Sequence, residues 1–136
     1  MLFLVFRLMR YLLDTCAWIF ILTANDRFSA EQKKAIFDLD NTFYISVISV
    51  WEMTIKLSKG RLELPKPIDN LVFEACVRDN YQILDLNIFS VLNAKNLPLH
   101  HQDPFDRMLI SQAVDNDLTI ITTDSMFSQY DVKLIQ

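Results

Sequence analysis

The chain has 136 residues, 51% of them hydrophobic, a single glycine and a net charge of −4. This length suits one packed domain, and the composition excludes a disordered or linker-rich chain. The acidic balance excludes bulk attraction to nucleic acid, so a phosphate-bearing substrate needs a metal or a local basic patch; a basic protein partner suits such a surface.

The amino terminus, MLFLVFRLMRYLLDTCAW, is apolar. Arg7 and Arg10 interrupt it, Asp14 follows at once, and no small-residue cleavage site is visible, so it does not read as a secretory signal. Its apolar runs are too short to span a bilayer. Met9 is an alternative start, with residues 1–8 an upstream extension and MRYLLDT opening the first strand. Tyr11–Leu13, closed by Asp14, reads as strand one, and Trp18–Leu22 as a short helix. Ser29-Ala30-Glu31-Gln32 is a capping-box pattern and opens a helix to about Asp38. Phe43–Ile45 is strand two. A helix follows from Ser46 or Val47 to Lys59, with Ser46 as its cap and Gly60 as its stop. Pro65–Pro67 is a turn, and Ile68–Asp79 is an amphipathic helix with Leu71, Val72, Ala75 and Cys76 at helical spacing.

Gln82–Leu86 reads as strand three, and Asn87 caps a helix to about Asn96. Leu97–Gln102 is a loop. Asp103-Pro104 is an N-cap followed by proline at the first helical position, opening a helix to about Asn116. Leu118–Thr122 is strand four, Ser125–Tyr130 a short helix, and Val132–Ile135 strand five. Strands alternating with helices predict an α/β fold with a mostly parallel sheet covered on both faces. Cys16 and Cys76 are too few for a disulfide framework, which fits a reducing, cytoplasmic setting.

Four carboxylates stand where an open α/β sheet builds its sites, after strands or in the first turns of the next helix: Asp14, Glu52, Asp106 and Asp124. Brought together, they repel one another unless a divalent cation joins them. Each has an alternative reading. Asp14 and Asp124 also suit capping of the turns that follow them. Glu52 could form a capping box with Ser49, yet it lies among Val47, Ile48, Val50, Trp51, Met53 and Ile55, where an unpaired acid is costly. Asp103 takes the N-cap role, which leaves Asp106 for a metal and Asp103 in support. Arg107 either balances this cluster or contacts phosphate. Thr122 and Thr123 supply hydroxyls that can brace a carboxylate, and Thr15 adjoins Asp14. Lys56, Lys59, Arg61 and Lys66 form a basic stretch that reads as a solvated helix end or, beside an acidic pocket, as a guide for a phosphate backbone; Lys56 is the candidate RNA or partner contact. His100 and His101 are adjacent in a loop without zinc-ligand spacing, so no zinc site is read from them.

Three segments, YLLDTCAWIF, ISVISVWEMTIKLSKGRL and LPLHHQDPFDRMLISQAVDNDLTIITTDSMFSQYDVKLI, resemble the PIN-domain family and most closely its VapC-type toxins of toxin–antitoxin pairs. They cover well over half the chain and stand in the family's order. The resemblance implies a single three-layer α/β/α domain with a central parallel sheet. It implies Mg²⁺- or Mn²⁺-dependent ribonuclease activity, with Asp14, Glu52, Asp106 and Asp124 on the family's acidic positions and Thr122 on its hydroxyl position. It also implies a homodimer and inhibition by a cognate antitoxin, for which a basic segment, such as an arginine entering the acidic pocket, is suited. The residues before Met9 depart from the usual pattern.

Two other readings stay open at this level. One is a nuclease of the same fold in RNA maturation, without an antitoxin. The other is a non-enzymatic acidic-pocket module such as a phosphoacceptor receiver, disfavoured because Lys133 falls inside the last strand instead of after it.

Overall fold

Tyr11, Leu12 and Leu13 are consecutive apolar residues, a run that suits a strand buried on both faces. In the computed structural model, which describes residues 9–136, they lie in β1 (Arg10–Leu13), the central strand of a five-stranded sheet ordered β3-β2-β1-β4-β5. The readings made for residues 1–8 lie outside the described residues. All four pairings in the sheet are parallel, linking β2 (Thr42–Ser46), β3 (Gln82–Leu84), β4 (Thr119–Ile121) and β5 (Leu134–Ile135). Leu12 stands in register with Tyr44 on one side and Ile120 on the other.

Strand residues alternate between two cores, as the period of two requires. Tyr11, Leu13, Phe43, Ile45 and Ile121 face one core with Ala17 and Trp18 of α1 (Thr15–Leu22), Ala35 of α2 (Ala30–Phe37) and Ala75 of α4 (Ile68–Val77). Leu12 and Ile120 face the other with Leu109, Ile110 and Ala113 of α6 (Pro104–Asp115), together with Phe127 and Tyr130. The helix α3 (Val47–Ser58) contributes Met53 to the first core and Ile48 to the second. The result is a three-layer α/β/α arrangement.

Local signals placed the helices. Ser29 accepts from the Gln32 N–H while the Gln32 side chain accepts from the Ser29 N–H, a complete capping box. Ser46 caps α3, and Gly60 follows its end at φ +68°, a conformation that favours glycine. Several expectations shift at their edges, strand five among them, which starts at Leu134 rather than Val132. The first helix starts at Thr15 rather than Trp18, because Asp14 caps it. Strand three stops at Leu84, where its register against its one partner, β2, ends. The helix capped by Asn87 is α5 (Ile88–Asn93) and tightens into a 3₁₀ turn over Ala94–Asn96; Ser125–Gln129 is 3₁₀ as well.

Chain order turns back between β1 and β4: β2 and β3 lie to one side of β1, β4 and β5 to the other. Such a reversal opens a crevice at the carboxyl ends of the strands.

Candidate functional site

Asp14 follows β1 directly at this crevice. It is buried, and two groups hold it: the Ala17 N–H donates to Oδ1 at 2.7 Å and the Thr122 hydroxyl donates a short bond to Oδ2. Thr122 follows β4, and its Oγ1 in turn accepts the N–H of Asp124 at 3.0 Å. Asp124 also caps the Ser125–Gln129 turn by accepting from the Met126 N–H at 2.9 Å. Both capping readings therefore hold at Asp14 and Asp124 without excluding a second role, since each carboxylate has further lone pairs.

The first turn of α6 brings in Asp106. Asp103 is the N-cap, accepting from the N–H groups of Phe105 and Asp106, so Asp106 is released from capping as its position suggested. Burial pushes the Asp106 carboxyl up to about 8, with the negative charges of Asp103, Asp14, Glu52 and Asp124 adding to the shift. Asp14 rises to about 6, also by burial first; its hydrogen bonds from Thr122 and Ala17 pull down, and Asp124 and Glu52 push up. The four acids thus sense one another electrostatically, although they come from four separate elements.

Glu52 enters from α3 and is only 6% exposed. The Ser49–Glu52 capping box does not form, because Ser46 is the N-cap and Ser49 Oγ instead accepts from Thr15 Oγ1 at 3.0 Å. Thr15 consequently ties α1 to α3 beneath the acids. Lys56 turns back on its own helix and pairs with Glu52 Oε2 at 2.9 Å. Burial works against the Lys56 charge, but the bond and attraction of Glu52 outweigh it and raise its pKa. Glu52 Oε1 remains buried with no hydrogen-bond partner among the described residues. An orphaned carboxylate oxygen of this kind is costly unless something outside the protein's own groups completes it.

Two expectations meet a different geometry. Arg107 does not pair with the acids. Its guanidinium donates to the carbonyls of Ala94, Leu97, Pro98 and His101 and reaches the Tyr130 hydroxyl, so it braces the loop before α6. Lys133 forms an ion pair with Asp117 at 2.7 Å, ahead of β5 and β4 and so at the amino edge of the sheet, away from the crevice.

His101 was not read from the sequence as part of the site. Its Nε2 lies 3.0 Å from Oδ2 of Asp106 and 3.0 Å from Oδ2 of Asp124. Its Nδ1 accepts the N–H of Asp103 at 3.2 Å. The available signal was a histidine two residues before an N-cap aspartate, near enough to turn back on that residue's N–H. Gln32 was likewise read only as part of a capping box, yet its side-chain amide also donates to the carbonyls of Thr122 and Ile135, anchoring the ends of β4 and β5.

These residues fit a hard divalent cation. The donors are carboxylate oxygens, their charges are crowded and partly desolvated, and Glu52 Oε1 has no hydrogen-bond partner among the described residues. The facing ring and carboxylate atoms of His101, Asp106 and Asp124 lie within 4.8 Å of one another.

The PIN domain family profile matches residues 11–133. No curated protein matches the sequence. Among solved structures, the chain is similar to VapBC2 from Rickettsia felis bound to a DNA fragment from their promoter, at 19% identity and a TM-score of 0.66, covering 93% of this chain and 98% of that one. It is similar to FitAcB from Neisseria gonorrhoeae at 19% identity and a TM-score of 0.61, covering 93% and 96%. It is also similar to VapBC-1 from nontypeable Haemophilus influenzae at 17% identity and a TM-score of 0.63, covering 94% and 98%.

Proposed function

The chain belongs to the PIN domain family, whose members are generally nucleases, and from that premise we propose that it is a Mg²⁺- or Mn²⁺-dependent endoribonuclease acting as the toxin of a toxin–antitoxin pair. The observation that carries the metal is Glu52 Oε1, a buried and unpartnered carboxylate oxygen in a crevice shared with Asp14, Asp106 and Asp124. Those four acids would hold the ion, with Thr122 fixing Asp14, Asp103 aligning the first turn of α6, and Thr15 tying α1 to α3. When bound, the ion supplies Lewis acidity at the phosphate and a water of lowered pKa. Attack of water in line with the P–O3′ bond leaves a 5′-phosphate and a 3′-hydroxyl, so the chain needs no nucleophile of its own.

An RNA substrate is supported by an aromatic surface beside the acids. Trp51, adjacent to Glu52, is 59% exposed, and its ring meets that of Phe105, adjacent to Asp106, edge to face at 5.5 Å. Such a ring offers a face on which an unpaired base can stack. The family resemblance and the VapBC and FitAcB likenesses support a cognate antitoxin, and the net charge of −4 favours a basic segment on it. Exposed Phe37 and Leu39 at the end of α2 offer apolar surface for a homodimer. A cytoplasmic setting accords with free Cys16 and Cys76. Among the described residues no helix is long and apolar enough to cross a membrane.

The test is RNA cleavage in the presence of MnCl₂ by Asp14→Asn and Asp106→Asn variants. Both should lose cleavage and Mn²⁺ binding while keeping their circular-dichroism spectrum. Undiminished cleavage by either variant overturns the assignment.

A further inference from the structure

The position of His101 is set from three sides. Its backbone N–H donates to the Tyr130 hydroxyl at 2.7 Å, its carbonyl accepts from Arg107, and its ring packs edge-on against Phe127 with centroids 6.0 Å apart. The Asp103 N–H points at Nδ1, which requires a lone pair there. The ring hydrogen is thereby assigned to Nε2, which hydrogen-bonds Oδ2 of Asp124 at 3.0 Å, while Oδ2 of Asp106 lies equally close to Nε2, at 3.0 Å, outside hydrogen-bond geometry. In that tautomer Nε2 has no lone pair to give a metal. Its hydrogen lies beside two of the carboxylates that would hold a cation.

We propose that His101 is a built-in competitor for the cation seat: its Nε2–H, bonded to Asp124, stands between Asp124 and Asp106, and a divalent ion enters by displacing the ring. This rests on the metal-dependent reading above. A proton donor and a divalent cation cannot both fill one gap between the same two oxygens, so the ring must turn away as the ion binds. The pinned backbone of His101 confines that movement to the side chain. The consequence is an affinity for Mg²⁺ or Mn²⁺ held below what the acids alone would give, with loading coupled to the rotamer of one residue.

Calorimetric titration of the full chain with MnCl₂ tests this. His101→Ala should bind Mn²⁺ about tenfold more tightly than the unsubstituted protein, equivalent to about 1.4 kcal/mol. Equal or weaker binding by the variant overturns the proposal, because the ring would then be a ligand or an organiser of the site. A second measurement needs no variant. In ¹⁵N-histidine-labelled protein, EDTA-treated samples should show a hydrogen-bonded Nε2–H signal for His101, lost on saturation with MgCl₂. Persistence of that signal at saturation overturns the proposal. If neither the unsubstituted protein nor His101→Ala binds Mn²⁺, the metal-dependent reading itself fails; if the unsubstituted protein binds it and the variant binds no better, only the competitor role fails.

Discussion

Thr122 Oγ1 donates its hydrogen to Asp14 Oδ2 and accepts the N–H of Asp124, so one hydroxyl joins the carboxyl ends of β1 and β4. Two acids 110 positions apart in the chain are thereby held by a single small side chain. Thr122→Val keeps the shape and removes both bonds. It should lower stability by about 1–3 kcal/mol, read from the urea midpoint, because a buried carboxylate loses its donor. Mn²⁺ affinity should fall by about ten- to hundredfold. Unchanged affinity would show that Thr122 does not position Asp14 for an ion.

Acid crowding predicts an unusual pH profile. Asp14 and Asp106 rise from an ordinary 3.8 to about 6 and about 8, so each binds its proton more tightly in the folded state. Over that range the folded chain holds more protons than the unfolded one, and stability falls as pH rises. With EDTA present, the melting temperature should therefore decline from about pH 4 to about pH 8. Added MgCl₂ favours the deprotonated carboxylates, so the upward shift it causes should grow with pH. A melting temperature that climbs across the same range without metal contradicts this electrostatic picture.

Glu52→Gln separates a functional acid from a structural one. A fully buried charge pair would cost about 3–5 kcal/mol to break, but Lys56 is 34% exposed, which brings its pair with Glu52 to about 1 kcal/mol at most. The neutral amide also removes a negative charge crowded against Asp14 and Asp106, so it should leave metal-free stability nearly unchanged. Cleavage should fall by at least about tenfold, and Mn²⁺ binding should weaken with it. A large loss in the urea midpoint would return Glu52 to a structural role.

Trp51 is exposed, and its removal should spare the fold. Trp51→Ala should raise KM for single-stranded RNA by an amount equivalent to about 1–3 kcal/mol, the range for losing one stacked base. Mn²⁺ affinity should stay the same. Equal KM values for the two proteins would place the RNA path elsewhere.

Much of the fold was legible because its signals are local. A capping box spans three residues, and Ser29 with Gln32 forms it as read. Asp103-Pro104 opens α6 for the same reason, and freeing Asp106 from capping follows from that one assignment. Arg107 and Lys56 were harder. Each has several donors on a flexible stem, and which acceptors it meets depends on loops and turns that pattern alone does not place. Lys56 turned to Glu52 one helical turn away, whereas Arg107 took the carbonyls of a loop.

By itself the sequence determined the element order, the apolar faces and the four acids at element edges, since periodicities of two and near four act over short spans. Tertiary structure decided which groups meet. The bonds from Thr15 to Ser49, Gln32 to Thr122 and Thr122 to Asp14 cross 34, 90 and 108 positions, and they exist only because β1 lies between β2 and β4. The entry of His101 between Asp106 and Asp124 belongs to the same class. It depends on a loop held by Arg107 and Tyr130, and no local periodicity encodes where such a loop will rest.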